Sequence, residues 1–249
     1  MRNEKSKKKT KVGVLGGAFN PPTIGHIKMA EHALKNTDLD EVWLTPCYSH
    51  RDKSELLPPE DRIRMCQLAL GPTGNIYTFR YEIDNKMEGS TFDFLSKLIN
   101  DETCDVEISY IIGQDNANEF HKWHRYEELK SLCRFIVFGR NGIKSKEQEW
   151  YHNDPHIFLT WDFELCSSTM VRDHIFEHGR KKPISILNPV VQKFIKKHHL
   201  YSYKGDKIFE LDTRGCNNMS EIFSKNPNLD KKDLLNALLS PDTKFQEPL

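Results

Sequence analysis

The chain has 249 residues, of which 37% are hydrophobic and 29% charged, a size and composition that suit one large domain, with or without an appendage. Basic and acidic residues number 36 each, so the formal net charge is zero and the global basic footprint of a duplex nucleic-acid partner is missing. No window approaches the roughly 18 consecutive apolar residues that a membrane span requires, which excludes a transmembrane role.

The first half of the chain alternates strand and helix patterns after a basic leader, residues 1–10. We expect this leader to be disordered, and since no apolar stretch follows it, it is not a secretory signal. Val12–Leu15 predicts a buried strand and Ile24–Leu34 an amphipathic helix. A second strand is predicted at Glu41–Pro46, followed by a helix that starts at a proline, over Pro59–Leu70.

The same alternation continues beyond residue 70. Ser90 is predicted to cap the next helix, with Asp93 three residues on. The remaining elements of this part are strands over Thr78–Asp84, Val106–Gly113, Arg134–Arg140 and Ile157–Trp161, and a helix over Arg125–Leu132. Strands alternating with helices over about 190 residues predict an α/β fold with a doubly wound parallel sheet, Rossmann-like in form.

The end of the chain differs in character from the rest. Two helical segments, Ser167–Gly179 and Pro189–His198, precede a polar stretch that contains one short helical pattern, Lys231–Leu239. We therefore predict a principal domain over residues 11–203 and a C-terminal extension over 204–249 that is partly helical.

The cysteines and histidines show no metal-binding spacing. The six cysteines form no C-x-x-C pair, which favours reduced thiols in a cytoplasmic protein, with nuclear import through the basic leader left open. The histidine pairs come without the cysteine or glutamate partners of a zinc set. We expect no metal site made of protein ligands alone.

The stretch from Val12 to Leu34 carries the most distinctive chemistry. It reads G-G-A-F-N-P-P-T-I-G-H between the strand and the helix, and it fits neither the G-x-G-x-x-G fingerprint nor a Walker loop. Gly16 and Gly17 allow backbone amides to approach a phosphate, and the helix N-terminus favours an anion. His26, on the first helical turn, can donate to a phosphoryl oxygen as charge develops.

Two segments together carry a resemblance to a known superfamily. "GGAFNPPTIGH" resembles the (H/T)-x-G-H signature of the nucleotidylyltransferases, and "CSSTMVRDHI", about 140 residues later, resembles their S-S-T-x-x-R signature. The segments "VWLTPCYSHRDKSELLPPEDRIRMCQLAL", "IIGQDNANEFHKWHRYEEL" and "LNPVVQKFIKKHHLY" are similar to the nicotinate or nicotinamide mononucleotide adenylyltransferases. This resemblance covers roughly residues 11–203.

The resemblance implies a reaction and a set of ATP contacts. The mononucleotide phosphate would attack the α-phosphorus of ATP in line, giving a dinucleotide of the NAD type and pyrophosphate, with Mg²⁺ as the cofactor that neutralises the polyphosphate. His26 and Arg172 are the catalytic candidates. The ATP-binding candidates are Gly16, Gly17, Ala18, Phe19, His26, Lys53, Ser168, Thr169 and Arg172.

The resemblance also implies a mononucleotide site. Its candidates are Asn20, Thr91, Gly113, Asp115, Trp123 and Arg140, with Asp115 at the ribose and Trp123 stacked on the pyridine ring. Thr23 stands where nicotinate-specific bacterial members usually have histidine, so the choice between nicotinate and nicotinamide stays open. ATP and a pyridine mononucleotide are the expected partners, without nucleic acid or membrane, and self-assembly stays open.

Two other functions remain as alternatives. One is an adenylyltransferase for a different phosphorylated substrate, such as phosphopantetheine, which would leave the G-x-D and tryptophan segment unexplained. The other is a nucleotide-binding regulatory module without catalysis. Both signatures keep the residues that the chemistry needs, His26 and Arg172 among them, which favours the enzyme.

Overall fold

A computed structural model describes most of the chain: residues 9–49, 56–72, 74–88, 90–139, 149–162 and 166–203, with the short segments 210–211, 219–225 and 244–245. The strands of these residues are β1 Thr10–Gly17, β2 Glu41–Pro46, β3 Ile76–Thr78, β4 Val106–Gly113, β5 Arg134–Phe138, β6 Ile157–Leu159, β7 Glu210–Leu211 and β8 Lys244–Phe245. The helices are α1 Ile24–Asn36, α2 Pro59–Leu70, α3 Tyr81–Asp84, α4 Thr91–Ile99, α5 Gln114–Asn118, α6 Tyr126–Leu132, α7 Ser168–His178, α8 Pro189–Lys197 and α9 Met219–Lys225. Two 3-10 turns lie at Phe120–Lys122 and Trp150–His152.

Strands β1 to β6 form one parallel sheet in the order β3-β2-β1-β4-β5-β6. The chain moves outward from β1 to β3 and then returns to the other side of β1, where Val14 pairs with Tyr110 of β4. The sheet therefore has its topological switch point between β1 and β4. Ligands of doubly wound sheets bind there, outside the carboxyl ends of the strands.

The side chains of the central strands alternate between two hydrophobic clusters, one on each face of the sheet. Ile108, Tyr110 and Ile112 of β4 pack with Phe92, Phe94, Leu95 and Leu98 of α4 and Leu129 of α6. Ile111, on the same strand, packs on the opposite face with Ala30 and Ala33 of α1 and Cys66 and Leu70 of α2. Because neighbouring residues of a strand point to opposite faces, strands covered by helices on both faces are apolar throughout. The predicted doubly wound parallel fold is confirmed.

One predicted strand is wrong for most of its length. The alternating pattern over Thr78–Asp84 predicts a strand, whereas β3 ends at Thr78 and Tyr81–Asp84 is a helical turn. The Arg80 guanidinium pairs with Asp84 one turn further on, at 3.1 Å, and the Asp84 amide donates to the Arg80 carbonyl. Phe79 and Tyr81 stack on each other beside Trp43, so they reach the core from a turn instead of a strand.

Other predicted elements agree with the structure, some with shorter ends. Helix α2 has the predicted bounds, and Ser90 caps α4 by accepting the Asp93 amide hydrogen at 3.2 Å. The fifth strand ends at Phe138 and the sixth at Leu159, earlier than predicted. Helix α5 was not predicted, and the pattern at Lys231–Leu239 lies outside the described residues.

The chain divides into two compact units. The first comprises Met1–Val171 and Ile184–Phe194 and contains the six-stranded sheet; the second comprises Arg172–Pro183 and Ile195–Leu249. The predicted domain boundaries at residues 11, 203 and 204 stay predictions. Among the helices of the described residues, none has the length and apolar character to cross a membrane.

Candidate active site

A cleft of about 230 Å³ opens at the switch point of the sheet. Its walls come from the ends of β1 and β4, the first turns of α1, and the segment that leads into α7. The lining residues named by the sequence analysis are Gly16, His26, Gly113, Asp115 and Trp123. The first signature and the G-x-D and tryptophan segment therefore meet in one cavity, although about 90 residues separate them.

The loop between β1 and α1 is built on buried side chains. Phe19 is 1% exposed and Asn20 is 3% exposed, and neither is among the residues that line the cleft, although both were predicted as ligand contacts. Phe19 adopts a left-handed backbone conformation, φ 46°, which costs a non-glycine residue roughly 1–2 kcal/mol. Burial of its ring, edge-on to the His26 imidazole at 5.1 Å, offsets that cost. We call this segment, Gly16–Pro22, the phosphate loop.

Gly16 permits a close approach that no other residue would allow. A Cβ at this position would lie 2.2 Å from the hydroxyl oxygen of Tyr110. The Tyr110 ring, 6% exposed, comes up from β4 and lines the cleft beside the phosphate loop. The first glycine of the signature therefore serves side-chain packing, and its predicted role in phosphate access stays a prediction.

His26 is held by Thr23 at the start of α1. The Thr23 backbone N–H donates to His26 Nδ1 at 2.9 Å, and Thr23 Oγ1 lies 2.8 Å from the same nitrogen. Because Nδ1 accepts from a main-chain N–H, the neutral ring carries its proton on Nε2. Thr23, 1% exposed, thus sets the tautomer and orientation of an imidazole that lines the cleft.

The second signature joins the first through two contacts. Ser168, the first residue of α7, donates its hydroxyl hydrogen to the Pro21 carbonyl at 2.8 Å. A Cβ on Gly25 would lie 3.0 Å from Cβ of Cys166, so glycine lets the segment before α7 pack against α1. Ser167 caps α7 by accepting the Met170 amide hydrogen at 3.2 Å. The beginning of the second signature, at Cys166 and Ser168, therefore lies next to the first.

The remaining residues of the second signature follow along α7. Thr169 is exposed on the first turn of this helix, and Arg172 comes one turn after Ser168. Arg172 belongs to the second compact unit. The contacts of Thr169 and Arg172 with the ATP phosphates stay predictions, and so does the phosphate contact of Ser168.

Of the described mononucleotide candidates, Gly113, Asp115 and Trp123 line the cleft, whereas Asn20 and Thr91 are not among its lining residues. Gly113 ends β4, Asp115 lies in the first turn of α5, and both line the cavity. Trp123 follows the 3-10 turn and packs on Phe120, with 5.2 Å between ring centroids and 42° between planes. Its half-buried ring is thereby fixed with part of its surface toward the cleft. A planar ring and a carboxylate that line the same cavity suit a pyridine ribonucleotide.

Thr91 contacts Tyr110, which lines the cleft. Thr91 begins α4, and its hydroxyl hydrogen-bonds the Tyr110 phenol. Burial raises the pKa of Tyr110 well above its ordinary value, the negative charge of Glu82 adds to the rise, and the bond from Thr91 opposes it. The phenol is therefore un-ionised at neutral pH and can act as a fixed hydrogen-bond group in the cavity wall.

Several lining residues were not singled out from the sequence: Met29, Tyr110, Asn116, Phe138, Gly139, Trp161 and Cys166. Met29 lies one turn after His26 on the same face of α1, so helical spacing was a usable signal. Trp161 follows β6 and Phe138 ends β5, both at the carboxyl edge where ligands bind. Two predicted residues, Lys53 and Arg140, lie outside the described residues.

Comparison with known proteins assigns the family. The sequence profile of the cytidylyltransferase-like family matches residues 14–174. A probable nicotinate-nucleotide adenylyltransferase of Fusobacterium nucleatum is 33% identical over 195 residues, which cover 76% of this chain and 99% of that protein. The chain belongs to the cytidylyltransferase-like family and, within it, to the nicotinate-nucleotide adenylyltransferases. As a member of these nucleotidyltransferases it is an enzyme of NAD biosynthesis.

A second relative agrees with that assignment, and two solved structures share the fold. A probable nicotinate-nucleotide adenylyltransferase of Shouchella clausii is 30% identical and covers 77% of this chain and 96% of its own length. The fold is shared with the Plasmodium falciparum nicotinic acid mononucleotide adenylyltransferase complexed with NaAD, with TM-score 0.65 and 19% identity over 77% of this chain and 97% of that one. The same Plasmodium enzyme complexed with APC gives a TM-score of 0.64 at 18% identity, over the same shares of both chains.

Proposed function

We propose that the chain transfers the adenylyl group of ATP to nicotinate mononucleotide at this cleft, releasing pyrophosphate and forming nicotinate adenine dinucleotide. One observation carries the proposal: the cleft at the switch point joins His26 of the first signature to Asp115 and Trp123 of the G-x-D segment. A phosphate-binding end and a ring-binding end in one cavity suit a reaction between a nucleoside triphosphate and a pyridine nucleotide.

The chemistry is a single displacement at phosphorus. An oxygen of the mononucleotide phosphate attacks the α-phosphorus of ATP and forms the new P–O bond. The bond from that phosphorus to the bridging oxygen of the β-phosphate breaks, and pyrophosphate leaves with the electron pair. The protein supplies alignment and charge stabilisation and needs no covalent intermediate.

His26 supplies a donor to this displacement. With Nδ1 occupied by Thr23, the Nε2–H is the ring donor for an α-phosphate oxygen, where negative charge increases in the transition state. The phosphate loop and the start of α1 add main-chain N–H groups and a helix dipole of favourable sign. Thr23 has no imidazole of its own and contributes by orienting the imidazole of His26.

Magnesium enters with ATP as part of the substrate. Among the described residues, no cluster of three or more histidine, cysteine or acidic side chains is arranged to hold a metal ion. The ion is therefore expected to be coordinated mainly by the triphosphate oxygens, where it lowers the negative charge that the nucleophile must approach.

The names of the relatives support nicotinate as the base. Relatives at 33% and 30% identity are described as probable nicotinate-nucleotide adenylyltransferases, and the Plasmodium fold neighbour acts on nicotinic acid mononucleotide. Nicotinate and nicotinamide differ in one substituent, a carboxylate against a carboxamide. A few hydrogen bonds near Trp123 would be enough to distinguish them.

Pyrophosphate release by the purified protein tests the proposal. The assay contains ATP and Mg²⁺ with nicotinate mononucleotide, nicotinamide mononucleotide or phosphopantetheine in parallel. We expect the highest kcat/KM with nicotinate mononucleotide and none with phosphopantetheine. A higher value with nicotinamide mononucleotide would overturn the base assignment, and turnover with phosphopantetheine alone would overturn the proposed function.

A further inference from the structure

Arg62 is a buried cation with an unusual set of partners. It lies in α2, its side chain is 0% exposed, and its guanidinium donates to three main-chain carbonyls. Nε donates to Leu57 at 2.9 Å, Nη1 to Ala18 at 3.0 Å and Nη2 to Tyr48 at 3.2 Å. Arg62 is not among the residues that line the cleft.

The three carbonyls belong to three different parts of the chain. Ala18 is in the phosphate loop, Tyr48 follows β2, and Leu57 precedes α2. A planar fork of N–H groups fixes three acceptors in one plane, which a lysine ammonium cannot do. Arg62 therefore sets the phosphate loop against both ends of the connection between β2 and α2.

Glu82 completes the cluster around Arg62. Its carboxylate accepts the Tyr48 backbone N–H and lies in the field of the Arg62 charge. Burial raises the pKa of Glu82 to about 7, and the contacts with Tyr48 and Arg62 oppose that rise. Tyr48 is thus held from two sides, with its N–H on Glu82 and its carbonyl on Arg62.

Two further contacts link the same segments. The Cys47 amide donates to the Gly17 carbonyl at 2.9 Å. The Leu57 amide approaches Asn20 Oδ1 at 3.4 Å. Both bonds join the phosphate loop to the connection from β2 to α2. Arg62 bonds the phosphate loop and both ends of that connection.

We infer that Arg62 is a positioning residue for ATP, which holds the phosphate loop in its binding conformation without touching the nucleotide. The inference rests on the proposed function in assigning the phosphate loop to ATP. The Arg62 guanidinium bonds Leu57, Ala18 and Tyr48, whereas Asp115 and Trp123 line the cleft from the segment that follows β4. We therefore expect loss of Arg62 to affect ATP binding more than mononucleotide binding.

The test compares Arg62→Met with wild type in two measurements. Calorimetric titration with ATP and Mg²⁺ gives the ATP Kd without any turnover, and steady-state assays give KM for each substrate. We expect the ATP Kd and KM to rise about tenfold or more, with the mononucleotide KM changed less than about threefold. Equal changes in both KM values, or an unchanged ATP Kd, would overturn the inference.

A matched control lies two residues away. Arg64 is exposed on the same helix and its guanidinium bonds the Gln67 side chain at 3.3 Å, so Arg64→Met removes an arginine from α2 without touching the cluster. We expect wild-type values for it. An effect of Arg64→Met as large as that of Arg62→Met would also count against a specific role of Arg62.

A second variant covers the case in which Arg62→Met does not fold. Arg62→Lys keeps the charge but loses the planar fork, so we expect a folded protein with an ATP Kd raised about threefold or more. A wild-type ATP Kd in this variant would show that charge alone suffices and would overturn the positioning role. Because ATP binding is measured directly, failure of the proposed transfer reaction leaves this test intact.

Discussion

The Ser168 hydroxyl donates to the Pro21 carbonyl across 147 residues of chain, at 2.8 Å. The bond ties the start of α7 to the phosphate loop, so each signature holds the other in place. It also occupies the only hydrogen of the hydroxyl, which leaves Ser168 Oγ as an acceptor in this conformation.

Ser168→Ala should therefore weaken ATP binding through the phosphate loop. We expect a loss of about 1 kcal/mol in the free energy of unfolding, because the carbonyl of the buried Pro21 loses its donor. We also expect a several-fold increase in the ATP KM. Urea unfolding and initial-rate assays measure the two effects. Ser131→Ala is the control, since that serine bonds a carbonyl within its own helix on the surface; equal effects of both variants would remove the special role of Ser168.

His26 can be tested with two variants that separate catalysis from helix capping. Glutamine at position 26 can still accept the Thr23 N–H, as in a capping box, whereas alanine cannot. We expect kcat to fall about 100-fold or more in both His26→Gln and His26→Ala. Only His26→Ala should also lose about 1 kcal/mol of folding stability.

The two readouts for His26 are pyrophosphate release and the urea midpoint. Wild-type kcat in His26→Gln would exclude the imidazole from the reaction. A large fall in the midpoint of His26→Gln would instead indicate that its low activity comes from misfolding.

Gly16→Ala should clash with Tyr110, whose hydroxyl oxygen would lie 2.2 Å from the new methyl group. Such overpacking costs about 1–3 kcal/mol and shifts the cleft wall, so we expect both stability and turnover to fall. Adding Tyr110→Phe removes the oxygen, and since the ring carbon behind it lies at 3.0 Å, recovery should be partial. Thermal unfolding and initial rates measure both effects.

Gly74→Ala is the control for the Gly16 experiment, because a Cβ at Gly74 meets nothing within 4 Å. A fully active and stable Gly16→Ala protein would contradict the close approach. A double variant no better than the single one would show that the hydroxyl is not the obstacle.

Acid should weaken a charge cluster at the amino ends of the strands. Asp38 pairs with Arg134 of β5 at 2.7 Å and with Lys11 of β1. These hydrogen bonds, from Arg134 first and then Lys11, hold the pKa of Asp38 well below its ordinary value. A carboxyl with a lowered pKa stabilises the fold above its ordinary pKa of about 3.9, and this contribution is lost as the pH falls below that value.

Asp38→Asn should therefore cost about 0.5–1 kcal/mol at pH 7, since the Asp38 side chain is 47% exposed and solvent screens its charge. The difference from wild type should shrink as the pH falls below about 4. Urea unfolding across this pH range measures it, with Glu102→Gln as the exposed control. A difference that stays constant with pH would contradict an ionic contribution.

The sequence predicts the parts of this protein that depend on local patterns. Helix α2 begins at a proline and has the predicted bounds, and the Ser90 cap follows from a hydroxyl three residues before Asp93. The alternation over Thr78–Asp84 is misleading, because aromatic residues at every second position also suit a turn whose rings enter the core. Local periodicity alone therefore cannot distinguish a strand from a turn at the edge of the sheet.

The sequence predicts the site residues that belong to motifs. It misses those whose role depends on packing between distant parts of the chain. Tyr110 lies in the middle of an apolar strand, so the pattern predicts a core residue. Its hydroxyl can lie beside the cleft because Gly16 of the neighbouring strand has no Cβ. Arg62 reads as a solvent-facing charge on a helix. Its burial depends on carbonyls from Ala18, 44 residues away, and Tyr48, 14 residues away.

The positions of the tryptophans suit the use of intrinsic fluorescence to follow ligand binding. Of the four tryptophans in the chain, Trp123 and Trp161 line the cleft, while Trp43 and Trp150 pack against the hydrophobic core. Indole emission responds to the polarity of its surroundings, and a nucleotide entering the cavity replaces water beside both cleft indoles. Intrinsic fluorescence can therefore follow occupancy without a label, and single replacements of Trp123 and Trp161 by phenylalanine would assign the signal to each indole.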